Sequence, residues 1–157
     1  MVTFTVKNLD EVRRLVRRYP NKVKPHLGKA MRQVGRVVKD GSVELTPISP
    51  TKQQYKKSLK RGKSKRTDFH PGNLRKSIRI LQNTTFSVDI GVPRNSLGGR
   101  YANFIHNGTY NLGPGSMAAK GKGQDVGPKF LERAVTKNEN AIHHVVVREI
   151  NKLNRRL

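Results

Sequence analysis

The sequence predicts an α+β domain: a small antiparallel sheet packed against a long helix in the N-terminal half and a long C-terminal helix, with a basic extended loop between them. Three observations predict it. Apolar residues recur at spacings of three and four from Val23 to Val38 and again from Leu131 to Leu157, the period of a helix with one buried face. Between those runs, two short segments around Ile80 and Val88 alternate apolar with polar residues, the period of a half-buried strand. The stretch from Thr51 to Arg66 carries eight cations, no acid and almost nothing apolar, so it cannot contribute to a core. With 157 residues, the chain has the size of one ordinary domain, able to bury a core without staples.

Val2, Phe4 and Val6 alternate with Thr3, Thr5 and Lys7, which predicts a short strand that can join the sheet. Asn8 or Asp10 can cap a first helix, on which Leu9, Val12, Leu15, Val16 and Tyr19 share a face opposite Arg13, Arg14, Arg17 and Arg18. Pro20 ends or kinks it. The second, longer helix has Val23, Leu27, Ala30, Met31, Val34, Val37 and Val38 on its apolar face, with Pro25 in its first turn. Gly28 and Gly35 each weaken it by roughly 1 kcal/mol relative to Ala, and their spacing suggests a close packing contact. Pro47 and Pro50 stop it.

The basic segment then reads as a flexible arm over about 48–70, whose cations Lys52, Lys56, Lys57, Lys60, Arg61, Lys63, Lys65 and Arg66 are candidates for contact with DNA or an acidic partner. Pro71-Gly72 is a turn, and Asn73 to Ser77 one helical turn anchored by Leu74. The runs starting at Ile78 and Thr85 form a hairpin joined at Asn83-Thr84, with Phe86, Val88 and Ile90 on one face. Tyr101, Ala102, Phe104 and Ile105 belong to a short helix that offers apolar bulk to the hairpin and stops at Gly108 through a positive φ. The Gly-, Ala-, Ser- and Lys-rich stretch of about 111–127 reads as a second flexible loop. Pro128 starts the last helix, whose stripe includes Leu131, Ala134, Val135, Ile142, Val145, Val146, Ile150 and Leu153.

Charge is the extreme feature. Lys and Arg number 33 against 10 acids, for a net charge of +23, which predicts attraction to polyanions. Trp is absent and aromatics are few, which argues against a base-stacking platform for single strands. Cysteine is absent, so disulfides and thiolate metal sites are excluded. No apolar run is long enough to span a bilayer, and Met1 to Lys7 shows no apolar signal core. No catalytic constellation emerges, and no cofactor is implied. The five histidines lack the spacing and carboxylate neighbours of a metal site. His106-Asn107 lacks the further ligand or base a nuclease needs, and Gly98-Gly99-Arg100 and Gly113-Pro114-Gly115 lack the flanking residues of a phosphate cradle. The scattered acids pair more plausibly with neighbouring Lys and Arg than with a metal.

Three segments, in order, carry a resemblance. Pro71-Gly72-Asn73-Leu74-Arg75-Lys76-Ser77-Ile78 resembles a Thr-Gly-x-Leu-Arg-x-Ser-Ile element. Tyr101-Ala102-Asn103-Phe104-Ile105-His106-Asn107-Gly108-Thr109 resembles Tyr-Ala-x-x-Val-Glu-x-Gly-Thr. Pro128-Lys129-Phe130-Leu131-Glu132-Arg133-Ala134 resembles Pro-Phe-Leu-x-Pro-Ala at the start of a final helix. These are elements of the head–tail joining, or tail-completion, proteins of tailed bacteriophages. The motif positions are Gly72, Leu74, Ser77, Ile78, Tyr101, Ala102, Gly108, Thr109, Pro128, Phe130 and Leu131. The chain departs from the pattern at His106, where Glu is usual, at Arg133, where Pro is frequent, and in the basic segment, which looks like an insertion.

The resemblance implies a structural virion protein, not an enzyme. It would be one subunit of a six-fold or twelve-fold ring in the neck, made in the host cytoplasm, that joins the portal connector to the tail and completes or terminates it. Its partners would be copies of itself, adjoining neck, connector and tail-tube proteins, and the DNA in the channel, with no membrane. The charge alone fits a second class equally well: a stand-alone architectural nucleic-acid-binding protein. Assembly discriminates the two, since a ring in the virion favours the first and a monomer coating nucleic acid the second.

Overall fold

A computed structural model describes Arg14 and residues 16–48, 72–108 and 112–155. The expected N-terminal strand and the basic arm with its eight candidate cations lie outside these residues, as does Thr109. The fold is α+β, with a two-stranded antiparallel sheet and two long helices, as the periodicities predict.

Helix α1, Pro20–Leu45, is the axis of the molecule. It begins at Pro20, earlier than the sequence suggests, because a proline at the first helical position costs no hydrogen bond. The Tyr19 carbonyl accepts from the Lys22 and Val23 amides at 3.1 and 3.0 Å. Pro25 therefore sits inside the helix and not in its first turn. Asn21, whose carbonyl loses its partner, lies at an exposed position. At the far end Ser42 Oγ donates to the Val38 carbonyl and Thr46 Oγ1 to the Ser42 carbonyl, both buried.

Strands β1, Arg79–Asn83, and β2, Val88–Gly91, pair antiparallel with Ile80 opposite Ile90 and Asn83 opposite Val88. The register slips between Ile80 and Gln82, which makes Leu81 a bulge residue and turns it outward. β2 is shorter than the alternation implies. Thr84 takes the turn instead: its amide donates to the Ser87 carbonyl and its hydroxyl accepts from the Phe86 and Ser87 amides. Phe86, expected on the inner face with Val88 and Ile90, is thereby in the turn and 59% exposed. The inner face lies on α1 at Gly35, where a Cβ would stand 2.8 Å from Val88 and 3.0 Å from Ile80. Close packing explains this glycine. It does not explain Gly28, where a Cβ would meet only the Arg32 guanidinium, at an ordinary 3.8 Å.

Between the sheet and the C-terminal helices come α2, Asn73–Ser77, before β1, and α3, Gly99–Asn107, and α4, Pro114–Gly121, after β2. Helix α4 corrects the reading of 111–127 as a loop. Ser116, Ala119 and Val126 are buried, the Ile48 amide donates to Ser116 Oγ at 2.8 Å, and the Gly127 amide to the Leu45 carbonyl at 2.9 Å. Docking on the end of α1 stabilises a segment whose composition alone does not.

The single long C-terminal helix is a pair: α5, Phe130–Lys137, and α6, Glu139–Asn154. Asn138 breaks it by competing with the backbone, its side-chain amide donating to the Ala134 carbonyl at 2.8 Å. Pro128 is exposed and precedes the helix; Lys129, at φ +51, caps it. Both helices pack on α1. The main core gathers Val34, Val38 and Leu45 of α1 with Leu74, Ile78, Val88, Phe130 and Ala134. A smaller one joins Val23 and Leu27 to Leu153 of α6. Of the expected stripe, Ala134 and Leu153 are buried, while Leu131, Val135, Ile142, Val145 and Val146 are half-buried against the core.

Candidate functional site

The described residues that the sequence singles out come together at one end of α1. Gly72 precedes α2 at φ +78, a conformation that strains any residue with a Cβ. The turn aims Leu74, Ser77 and Ile78 inward, all buried. It also aims Arg75 back along the chain. Its Nε and Nη2 donate to the Thr46 carbonyl at 3.1 and 2.7 Å, and Nη2 to the Glu44 carbonyl at 3.2 Å. A planar cation thus closes the C-terminus of α1, where unpaired carbonyls and the helix dipole favour positive charge. Burial pushes the Arg75 guanidinium below its ordinary value, and a group that starts so high stays charged.

Ser77 ties this turn to α3. Its Oγ accepts from the Gly98 amide at 3.3 Å. The approach loop is held by Ser96, whose hydroxyl donates to the Pro93 carbonyl and accepts from the Gly99 amide. On α3, Ala102 and Ile105 pack on the main core. Tyr101 is partly exposed. Burial of its ring raises the hydroxyl above its usual range, while a hydrogen bond with the Leu74 backbone opposes the shift. Phe104, expected to pack on the hairpin, faces outward and is 64% exposed. Gly108 is not the positive-φ stop that the sequence suggests: its φ is −77, and α3 ends with its amide donating to the Phe104 carbonyl at 2.7 Å.

His106 connects α3 to α5. Its carbonyl accepts from the Lys129 amide at 2.7 Å, which fixes the unusual backbone of Lys129. Its ring meets the Phe130 ring edge-on at 4.9 Å and 88°, and its Nε2 lies 3.7 Å from Glu132. Burial pushes its pKa below the usual histidine value, with the Glu132 carboxylate pulling the other way. Phe130 is wholly buried, and Leu131 is half-buried against the same core.

The three resembling segments therefore form one locus: Leu74 and Ile78, Ala102 and Ile105, and Phe130 and Leu131 share one core, His106 meets Lys129 and Phe130, and Ser77 holds Gly98 just before the second segment. Sequence reasoning missed the roles of Arg75 and His106. A hint for Arg75 was its place just after a glycine turn, where a long cation can reach back to a preceding helix end. The locus holds elements in place. Among the described residues no group of three or more His, Asp or Glu is close enough together to hold a metal ion, and none of the described helices is long and apolar enough to cross a membrane. No family model matches the chain, and no curated protein or solved structure is significantly similar to it.

Proposed function

We propose that the protein is a structural component of a tailed-phage neck: one subunit of a six-fold or twelve-fold ring that joins the portal connector to the tail and completes or terminates it. Its work is mechanical, not catalytic. The observation that carries this reading is the packing of three separate resembling segments in one core, through Leu74 and Ile78, Ala102 and Ile105, and Phe130 and Leu131. Each motif is short enough to arise by chance, but matches arising by chance need not share contacts. Where the motif residues touch one another, they behave as one module.

The locus also presents an apolar edge. Leu97, just before α3, and Tyr101 and Phe104 on it are exposed, as are Leu81 and Phe86 on the hairpin. Two different patches on one subunit suit a head-to-tail contact, which closes into a ring when the rotation permits. A charge of +23 makes copies repel one another, so rings of the isolated protein need salt or partners to form. Mass spectrometry of purified virions, with electron microscopy of neck complexes, tests the reading. The expected result is the protein in the particle as a ring on the tail axis. Absence from particles, with a monomer coating nucleic acid, would instead establish the architectural class, which the acid-free run from Arg14 to Lys39 favours.

A further inference from the structure

Helix α1 has a second surface that neither the core nor the motif locus uses. From Arg14 to Lys39 the chain contains no acid. Lys22, Lys29, Arg32 and Arg36 lie at exposed positions, away from the buried stripe of Val23, Leu27, Val34 and Val38. Among the described residues, Lys22, Lys24, Arg32 and Arg36 form no ion pair. Beside this face is an open groove of about 620 Å³. One wall is Lys24, Gly28 and Arg32; the other is the hairpin tip, Asn83, Thr84 and Thr85. Gly28 leaves its part of the wall without a side chain, and a Cβ there would stand 3.8 Å from the Arg32 guanidinium. The tip is held by the Thr84 bonds to Phe86 and Ser87, so Asn83 and Thr85 stand at fixed places opposite two cations.

We propose that this face of α1 and the groove at the hairpin tip bind the phosphate backbone of duplex DNA without regard to sequence. Phosphate contacts combine Lys and Arg with neutral donors such as Asn and Thr, the mixture that lines the groove. From Lys22 to Arg36 the helix covers roughly 21 Å at 1.5 Å per residue, several base pairs of duplex. No large apolar residue of α1 is exposed, so the face lacks the apolar centre of a protein–protein interface. It also offers no row of aromatic rings for unstacked bases, which excludes the usual single-strand platform. The inference does not rest on the neck reading, and its test needs no virion.

Binding of the full chain to a short labelled duplex of arbitrary sequence, followed by fluorescence anisotropy across a salt series, tests it. Log affinity falls linearly with log salt. Removing three contacts in Lys24→Gln/Arg32→Gln/Arg36→Gln flattens the slope by roughly 2 to 3 units, at about 0.9 per phosphate. The charge-matched variant Arg94→Gln/Lys120→Gln/Lys122→Gln, at exposed positions elsewhere, keeps the slope. Gly28→Asp, which has room beside Arg32, weakens binding without removing a cation. Circular dichroism checks that each variant folds, and Gln at exposed helical positions is well tolerated. The proposal is overturned if the two triple variants behave alike, since net charge alone then drives binding. It is equally overturned if the duplex is not bound, or if a single strand is bound more tightly than the duplex.

Discussion

His26 and Glu149 face each other across the contact between α1 and α6, with Nδ1 and Oε2 3.5 Å apart. Lys152, one turn on, donates to the other carboxylate oxygen at 2.8 Å. Glu149 is only 1% exposed, a place where an unpaired carboxylate would be costly. The Lys152 hydrogen bond, foremost, holds its carboxyl below the ordinary value of 4.5 against the opposing pull of burial.

A depressed carboxyl contributes stability that is fully present above its unfolded pKa and is lost as pH falls through the folded one. The Glu149 contribution therefore disappears below about pH 4.5. Glu149→Gln should cost about 1 to 3 kcal/mol near neutrality, less than a fully buried pair because Lys152 stays half in water. It should also remove part of the acid-side loss. Denaturant melts of both proteins at neutral and acid pH check this; parallel pH curves would show that the pair contributes nothing.

His106 follows the same rule in a higher window. Its folded pKa lies below the ordinary histidine value of 6.5, so the unfolded chain protonates first and stability falls as pH drops below about 6.5. An NMR titration should give a midpoint under that value. Glu132→Gln should lower the midpoint further, because the carboxylate raises it. A midpoint at or above the ordinary value would contradict the buried placement of the ring.

Arg75→Met should destabilise the fold by about 1 to 2 kcal/mol, by freeing the Thr46 and Glu44 carbonyls at the end of α1. Arg75→Lys should recover little, since an ammonium cannot reproduce the planar fork that engages both. Thermal melts of the two variants decide it. Full rescue by Lys would mean that charge at the helix end, not geometry, is what matters.

The core makes a graded prediction. Phe130→Ala, at a wholly buried position, should cost about 3 to 5 kcal/mol. Val146→Asp, at a half-buried one, should cost about 1 to 2 kcal/mol. A melting temperature unchanged by Val146→Asp would mean that the stripe of α6 faces water.

The ring proposal makes its own prediction. Leu97→Asp with Phe86→Asp, both exposed, should leave the melting temperature nearly unchanged while abolishing assembly into necks. Normal assembly would place the interface elsewhere.

What could be read from the sequence was whatever local periodicity controls. The spacing of Val23, Val34 and Val38 located α1, and the alternation around Ile80 and Ile90 located the hairpin. What tertiary contacts decide was hidden. Helix α4 lacks the composition of a helix and is held by Ser116 on Ile48. Asn138 ends α5 with a bond that no pattern announces. Phe86 has an inward phase, but the Thr84 turn claims its backbone. Glu149 was legible in principle: it falls at stripe spacing between Ile142 and Leu153 on α6, and an acid there signals a buried partner. Of the candidate site, the motif residues came from the resemblance and their mutual contacts from the structure.

Helix α1 meets the hairpin, α5 and α6, all of which follow it in the chain. A ribosome therefore releases the apolar side of α1 well before the surfaces that cover it. Until α6 emerges, Val23 and Leu27 lack Leu153, and until α5 emerges, Val34 and Val38 lack Phe130. Closing so long a loop slows folding, and apolar surface left waiting invites aggregation. The same interval leaves the basic side of α1, with its acid-free run as far as Lys39, open to solvent, and its like charges keep nascent copies apart. The positive charge of α1 is thus expected to oppose aggregation of the growing chain, before any partner is met.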